Sequence, residues 1–383
     1  GHSSAGRAPA LHAGGRRFDP AWLHQIKKNH RKVVLFFCIE FEVGRTVEGG
    51  LIPFSFRVKR CIIRATVMWY TSLENRTLQL IQILATDGVV KSDSYSKRAL
   101  TNLALAYDEV QGMIRLRQPL ELLCDQKILD DMAVDIRPLV SKIDIHASID
   151  STNTHLMSCL KSETFQGHVC LAESQTAGRG RRGRAWISPF GRNVYMSVGW
   201  ILPRGLKPGG LSLTVGMAIV RLLRDMGVSD VSLKWPNDVL RITEGRSGKL
   251  AGILIELGAP TAKGTPLIIG VGLNVDLGVE ASALIDQPYQ TLGEFKLSRN
   301  ALVSGLLTRL LPALSNFSEN GFCIKASEWA EVNFYANKEV QIVLGQDVIP
   351  GIDRGVDEHG NILIETEAGV KSFNAGEVSL RPI

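Results

Sequence analysis

Residues Ala177–Arg184 read AGRGRRGR, and Gly178, Gly180 and Gly183 satisfy the spacing G-x-G-x-x-G. How these glycines are read decides the fold, because a dinucleotide cradle would place them at the first turn of a doubly wound sheet. That cradle needs a strand before it, a helix opening on its last glycine, and a carboxylate about 20 residues on for the ribose. HVCLAES (His168–Ser174) supplies the strand. The other two conditions fail: RAWISPFGRN follows, in which Pro189 and Gly191 forbid a helix, and WILPRGL at 200–206 holds no carboxylate. What remains is Arg179, Arg181, Arg182 and Arg184 interleaved with glycine. Arginine offers planar paired donors to phosphate or carboxylate, and glycine lets the backbone come close and stay mobile until something binds. The loop therefore reads as a clamp for a compact polyanion. A nucleic-acid backbone is the rival and a solvated surface loop the bland alternative; the rest of this region is not basic, which weighs against the rival.

The basicity lies elsewhere. Residues 1–75 hold twelve Lys/Arg against five Asp/Glu, a net of +7, so the chain's +6 leaves −1 for residues 76–383. With 45% apolar and 21% charged residues, the 383-residue chain reads as globular, with room for two or three domains. Its six cysteines form no C-x-x-C pair. They suggest neither a zinc site nor a disulfide framework, and the expectation is a reduced, cytoplasmic protein. No apolar run approaches the roughly 18 residues of a membrane span.

Residues 1–75 show no sustained period of 2 or 3.6, and the expectation is a disordered or artefactual extension with no assigned function. Residues 76–122 hold two helix patterns: TLQLIQILATDG (Thr77–Gly88), stopping at a glycine, and SKRALTNLALAYDEV (Ser96–Val110), with Ser96 as cap. A short basic strand, MIRLRQ, follows. From 123 to 332 strands and helices alternate: KIDIHASID, HVCLAES, VSLKW, KLAGILIEL and PLIIGVGLNV read as strands, and Ser212–Gly227 as a helix. Such alternation points to an α/β domain on one sheet. Residues 333–383 turn all-β, as a small barrel would.

Three further motifs carry chemistry. KWPND (Lys234–Asp238) uses a proline turn to hold Asn237 and Asp238 at a strand end, or is a plain strand–turn with an Asx cap. SGKLAGILIE sets Lys249 at the mouth of a buried strand; the Walker spacing is absent, so Lys249 is a point charge for an anion or an ordinary strand-end lysine. IDSTN (Ile149–Asn153) either caps a helix or binds a polar ligand head, and the glycines of GVGLNV (Gly270–Val275) suggest close approach by backbone or ligand, with Asn274 at the polar tip. No catalytic histidine arrangement is visible, since His155 and His168 are isolated in sequence.

In this order, IDSTN, AESQTAGRGRRGRAW, KWPND, GKLAGILIE and IGVGLNV resemble the signature blocks of the biotin–protein ligases, of the bacterial bifunctional ligase/repressor type. The resemblance runs from about residue 120 to the C-terminus. It implies a class II aminoacyl-tRNA synthetase-like catalytic domain with a mixed sheet, followed by an SH3-like C-terminal domain. It implies ATP, biotin and Mg²⁺ as substrates and cofactor, no metal bound by protein side chains alone, and a biotin carboxyl carrier protein of acetyl-CoA carboxylase as partner. Ser151, Thr152, Asn153 and Gln175 would line the biotin site, while Arg179, Gly180 and Arg181 would fold over biotin and its adenylate. Lys249 would contact the substrate carboxylate or α-phosphate, and Asp238 would orient the incoming lysine or the metal. Trp186 would stack on adenine and Asn274 would flank the nucleotide site. Lipoate–protein ligase shares the implied fold, but the GRGRRG loop favours biotin. Two departures stand out. Tyr289 in PYQTL replaces the family's usual tryptophan, and residues 76–122 are too short for a full winged helix-turn-helix. The N-terminal segment is thus expected to be a truncated remnant, which weighs against operator binding without removing it: a ligase that is also a biotin-dependent DNA-binding repressor of biotin synthesis stays the alternative, and a homodimer is open.

Overall fold

The computed structural model describes residues 75–376 and 379–382, together with a two-residue antiparallel pairing of Leu35–Phe36 with Thr66–Val67. The expectation for residues 1–75 otherwise lies outside the described residues.

Helix α1 (Asn75–Thr86) buries Leu78, Leu80, Ile81 and Leu84, a single apolar stripe. It stops ahead of Gly88, whose φ of 75° suits a residue without a Cβ. The chain continues through β1 (Val89–Lys91), α2 (Ser94–Asn102), β2 (Tyr107–Val110) and β3 (Met113–Leu116), a three-stranded sheet in the order β1-β3-β2. The helix expected over 96–110 is corrected here. Asp93 caps α2 in place of Ser96, its carboxylate accepting from the Ser96 N–H at 2.6 Å; an ionised acceptor suits the positive end of a helix better than a hydroxyl. Tyr107–Val110 leave the helix because Gln111 and Gly112, both at positive φ, turn a tight hairpin that pairs them with β3. Residues 103–106 are all that separate α2 from β2. A second helix of a helix-turn-helix has no room there.

The large sheet is built from β4 (Lys142–His146), β5 (His168–Ala172), β6 (Val194–Leu202), β7 (Val231–Lys234), β8 (Asp238–Thr243), β9 (Arg246–Leu257) and β10 (Thr265–Leu273), in the order β4-β5-β6-β10-β9-β8-β7. β4 and β5 pair parallel and the remaining neighbours antiparallel. The alternation of strands and helices pointed to one sheet, and this is the mixed sheet that the family resemblance implied. Helices α5 (Leu211–Asp225) and α7 (Arg299–Asn320) share a core with Ile253, Ile269 and Val271 on one face. The short α4 (Thr152–Ser158) packs Leu156 with Ile268 and Cys170. Successive strand residues face opposite sides, so α4 covers the other face. A five-stranded antiparallel sheet follows, from β11 (Glu339–Leu344), β12 (Asp347–Val356), β13 (Ile362–Thr366), β14 (Gly369–Phe373) and β15 (Ser379–Pro382), in the order β14-β13-β12-β11-β15. Its Val340, Ile342, Ile362, Ile364 and Leu380 belong to the same core as the large sheet. Among the described residues no helix is long and apolar enough to cross a membrane.

Between the first module and the large sheet the apolar core changes over one peptide bond. Leu120 and Leu122 pack with Ile81, Leu100 and Ile114, whereas Leu123 belongs to the large core. A fully buried carboxylate holds this crossing: Glu173 accepts from Leu123 N–H at 2.7 Å and pairs with Arg299 of α7 at 2.7 Å. Arg299 also donates to the carbonyls of Glu121 and Asn193. Breaking a buried pair by removing one member leaves an unsatisfied charge and costs about 3–5 kcal/mol. Arg299→Met should lower the unfolding free energy by about that amount, measured by urea denaturation. Adding Glu173→Gln should restore part of the loss, because the stranded charge is then gone.

Candidate active site

The site is founded on glycine. In β9 and β10, Gly252 stands opposite Gly272, and both face the α4 side. A Cβ on Gly272 would come 2.4 Å from Trp186 Cε2, and one on Gly252 2.9 Å from Trp186 Cζ3. The indole therefore occupies a slot that only residues without side chains leave open. Two positions earlier, a Cβ on Gly270 would meet Asn153 Oδ1 at 2.3 Å. The close approach suggested by GVGLNV is thus made by two side chains of the protein itself.

At one end of this floor lies a hydrogen-bonding head. Ser151 occupies the N-cap position of α4, yet its side chain makes no capping bond and is buried. The Ser197 hydroxyl of β6 lies 2.7 Å from Thr152 Oγ1 and 2.6 Å from Asn153 Oδ1. Gln175 accepts from Thr152 N–H at 2.9 Å and donates to Ser188 at 3.1 Å. Glu256 accepts from Asn153 Nδ2 at 2.7 Å and from Arg179 at 2.8 Å. Ser197 carries no motif signal, and Glu256 closes the GKLAGILIE block without a role assigned from sequence; strand register brings both to the site.

At the other end three cations converge. The arginine loop is a closed hairpin: Arg179 and Ala185 pair as an antiparallel bridge, Gly180 N–H donates to Arg184 O at 2.7 Å, and Trp186 N–H to Gly178 O at 2.8 Å. Its tip turns through Arg182 and Gly183 at φ of 58° and 73°. Arg181 donates to Asn237 Oδ1 at 2.7 Å and to the Ala375 carbonyl of the C-terminal sheet at 2.5 Å. Burial, and next the charge of Arg182, draw its pKa below the ordinary guanidinium value; it stays protonated at any working pH. Asn237 follows the cis Trp235–Pro236 bond and is fixed by donating to Ile253 O at 3.1 Å.

Lys249 reaches the site through an irregularity. Val239 pairs with Ala251 but Leu240 with Lys249, so Leu250 is an extra residue in β9. A bulge re-aims the neighbouring side chain, and here the Lys249 ammonium stands 2.8 Å from Asp238 and 5.3 Å from the Trp186 ring. Asn274 takes up the backbone that the bulge displaces: its N–H donates to Leu250 O at 2.9 Å and its side chain to Lys249 O at 3.2 Å. On the other side Lys249 and Tyr289 are bridged in parallel, which lays PYQTL along GKLAGI.

One cavity is consequently lined by Ser151, Thr152, Asn153, Gln175, Arg179, Gly180, Arg181, Trp186 and Lys249, joined by Tyr195, Met196, Asn237, Leu254 and the three floor glycines. Asp238 and Asn274 do not line it. They stand one step back, on the ammonium and the carbonyl of Lys249. The arrangement combines a neutral polar head, an apolar glycine floor and a cationic end, which suits a ligand that is polar at one tip and anionic at the other.

The comparisons with known proteins agree with this chemistry. Residues 145–274 match the biotin/lipoate A/B protein ligase family, and residues 335–381 the biotin protein ligase C-terminal domain. The bifunctional ligase/repressor BirA of Escherichia coli is 37% identical over 272 residues, which cover 70% of this chain and 80% of that protein. The biotin–[acetyl-CoA-carboxylase] ligase of Mycobacterium tuberculosis is 33% identical over 277 residues, 69% of this chain and 97% of that one. A biotin protein ligase from Aquifex aeolicus, solved in complex with biotin and ATP, superposes with a TM-score of 0.53 at 30% identity, covering 63% of this chain and 99% of that one. With both its catalytic and C-terminal segments matched and its site assembled from the same segments, the chain belongs to the biotin protein ligase family and is a ligase.

Proposed function

We propose that the chain activates biotin with ATP and transfers it to a lysine of a carrier protein, the biotin carboxyl carrier of acetyl-CoA carboxylase. The observation that carries this reading is one cavity lined by the cations Lys249, Arg179 and Arg181 together with the hydrogen-bonding side chains of Ser151, Thr152, Asn153 and Gln175. In the first step the biotin carboxylate attacks the α-phosphorus of ATP and pyrophosphate leaves. Two anions must meet, and fixed cations in a water-poor cleft lower that barrier far more than they would in bulk water. Lys249 neutralises the carboxylate and α-phosphate oxygens, and Arg181 holds the loop closed over the adenylate. Ser151, Thr152, Asn153 and Gln175 take the polar head of biotin, and Trp186 packs against the nucleotide side. In the second step the carrier amine, having lost a proton to solvent, attacks the acyl carbon of the mixed anhydride. The amide forms and AMP departs.

Mg²⁺ suits the residues present. It prefers hard oxygen donors, keeps several waters and takes substrate phosphates, so one or two carboxylates suffice. Asp238, partly buried beside Lys249, offers such an oxygen; the ion, when bound, neutralises polyphosphate charge. The four described cysteines are free, which accords with a cytoplasmic setting.

The N-terminal module is a separate matter. Two helices and a three-stranded sheet are present, but the short 103–106 connection stands where a DNA-reading helix would lie. Of the module's exposed apolar groups, Val110 and Met113 flank the hairpin tip and are not basic. We infer that this module packs without reading an operator.

Lys249→Met should reduce biotin-dependent pyrophosphate exchange by about 10²–10³-fold, the scale for losing one charge-stabilising donor; an unchanged rate would remove Lys249 from the chemistry. Gly270→Val should abolish biotin binding in calorimetry, since the added side chain displaces Asn153, and should lower the thermal midpoint as overpacking a buried site costs about 1–3 kcal/mol. Biotin should outcompete lipoate in the same exchange assay. In a mobility-shift assay with biotin and ATP, duplex DNA from biotin-synthesis promoters should show no shift beyond the salt-sensitive background.

A further inference from the structure

Behind α4 lies a cluster that the ligase chemistry does not use. β4 and β5 run parallel with Lys142 opposite His168 and Asp144 opposite Cys170. Alternate residues of a strand share a face, so Asp144 and His146 stand beside His168 and Cys170. α4 lies across this face and adds His155 and, at its C-cap, Cys159. Residues four apart on a helix align, which brings both over the strands.

His168 Nε2 lies 2.8 Å and His155 Nε2 3.3 Å from Asp144 Oδ2, and Cys159 Sγ is 3.9 Å from His155 Nε2. Donor atoms of Asp144, His155 and His168 all fall within 4.8 Å of one another. A tetrahedral zinc ion, bonded at about 2.0–2.3 Å, holds its donors about 3.3–3.7 Å apart. The cluster is therefore within a few tenths of an ångström to about one ångström of that geometry.

Charge points the same way. Lys142 Nζ also lies 2.8 Å from Asp144 Oδ2, so three N–H donors converge on one carboxylate oxygen, which has two lone pairs. One cation would serve that oxygen and accept both imidazoles in their neutral form, while the half-exposed Lys142 turns to water. Two imidazoles beside one carboxylate select zinc over magnesium or calcium. We propose that Asp144, His155 and His168 bind one divalent cation of the zinc class, with water completing the coordination. The ion ties α4 to β4 and β5. Because α4 opens with Thr152 and Asn153, it steadies the wall of the ligand cavity from behind.

The test uses the full chain, stripped of metal and titrated with Co²⁺ and with Zn²⁺. One equivalent of Co²⁺ should bind with the intense visible bands of a tetrahedral site. His155→Gln and His168→Gln should each weaken Zn²⁺ binding by more than the about 10–100-fold typical of changes outside the coordination sphere. His155 is partly exposed, so its variant keeps the test sound should the buried His168→Gln fail to fold. Lys142→Met should tighten binding severalfold by removing the competing ammonium. Two results would overturn the proposal: an octahedral cobalt spectrum, or Zn²⁺ affinity unchanged in a folded His155→Gln variant. Either would reduce the cluster to hydrogen bonds alone.

Discussion

A carboxylate with no access to water organises this molecule. Glu173 directly follows β5 at 0% exposure, a position that no free carboxylate tolerates. Its oxygens bind Arg299 and the Leu123 N–H, and its own carbonyl accepts from Gly191 N–H at 2.9 Å. Three segments far apart in sequence are fixed by one residue: its side chain holds the linker entering the large sheet and the start of α7, and its carbonyl holds the turn that closes after the arginine loop. Gln175 lies two residues beyond Glu173 and the loop begins at Gly178. Both ends of the substrate clamp are thus anchored to the same buried charge. Residue 121 adds a second layer, since Glu121 accepts from Ser298, Arg299 N–H and Asn300.

On that scaffold the site is assembled by subtraction. Gly252, Gly270 and Gly272 remove side chains from the α4 face of the sheet, and Trp186 and Asn153 enter the space they leave. The bulge at Leu250 then brings an ammonium to the edge of the floor. The cations are not left bare: Lys249 rests on Asp238 and Arg179 on Glu256. Such partners hold each cation in place before an anion arrives, which avoids reorganisation during the reaction.

Much of this was legible in the sequence, and the failures have physical reasons. Rejecting the dinucleotide cradle at AGRGRRGR rested on a missing helix, and the structure has a short 3₁₀ turn at Arg181–Gly183 followed by extended chain. IDSTN posed a choice between helix cap and ligand head. Ser151 takes the cap position without a capping bond and lines the cavity, so the structure gives the helix start and leaves the side chain facing the site. The helix over 96–110 was misjudged because Gln111–Gly112 signals a hairpin only when the partner strand is known. α7 was obscured by Pro312 within it, which ordinarily ends a helix. His155 and His168 seemed isolated because 13 residues and a parallel strand crossing separate them in sequence. A crossing of that kind brings together residues that no local spacing can mark.

The N-terminal module depends on the catalytic domain for its packing. The core of α1, α2 and the three strands does not close on itself; it packs with Leu120 and Leu122 of the linker and with Ala147 and Phe190 of the large domain. Ala147 directly follows β4, and Phe190 lies in the turn after the arginine loop. These contacts make the module a prop for the wall on which IDSTN begins.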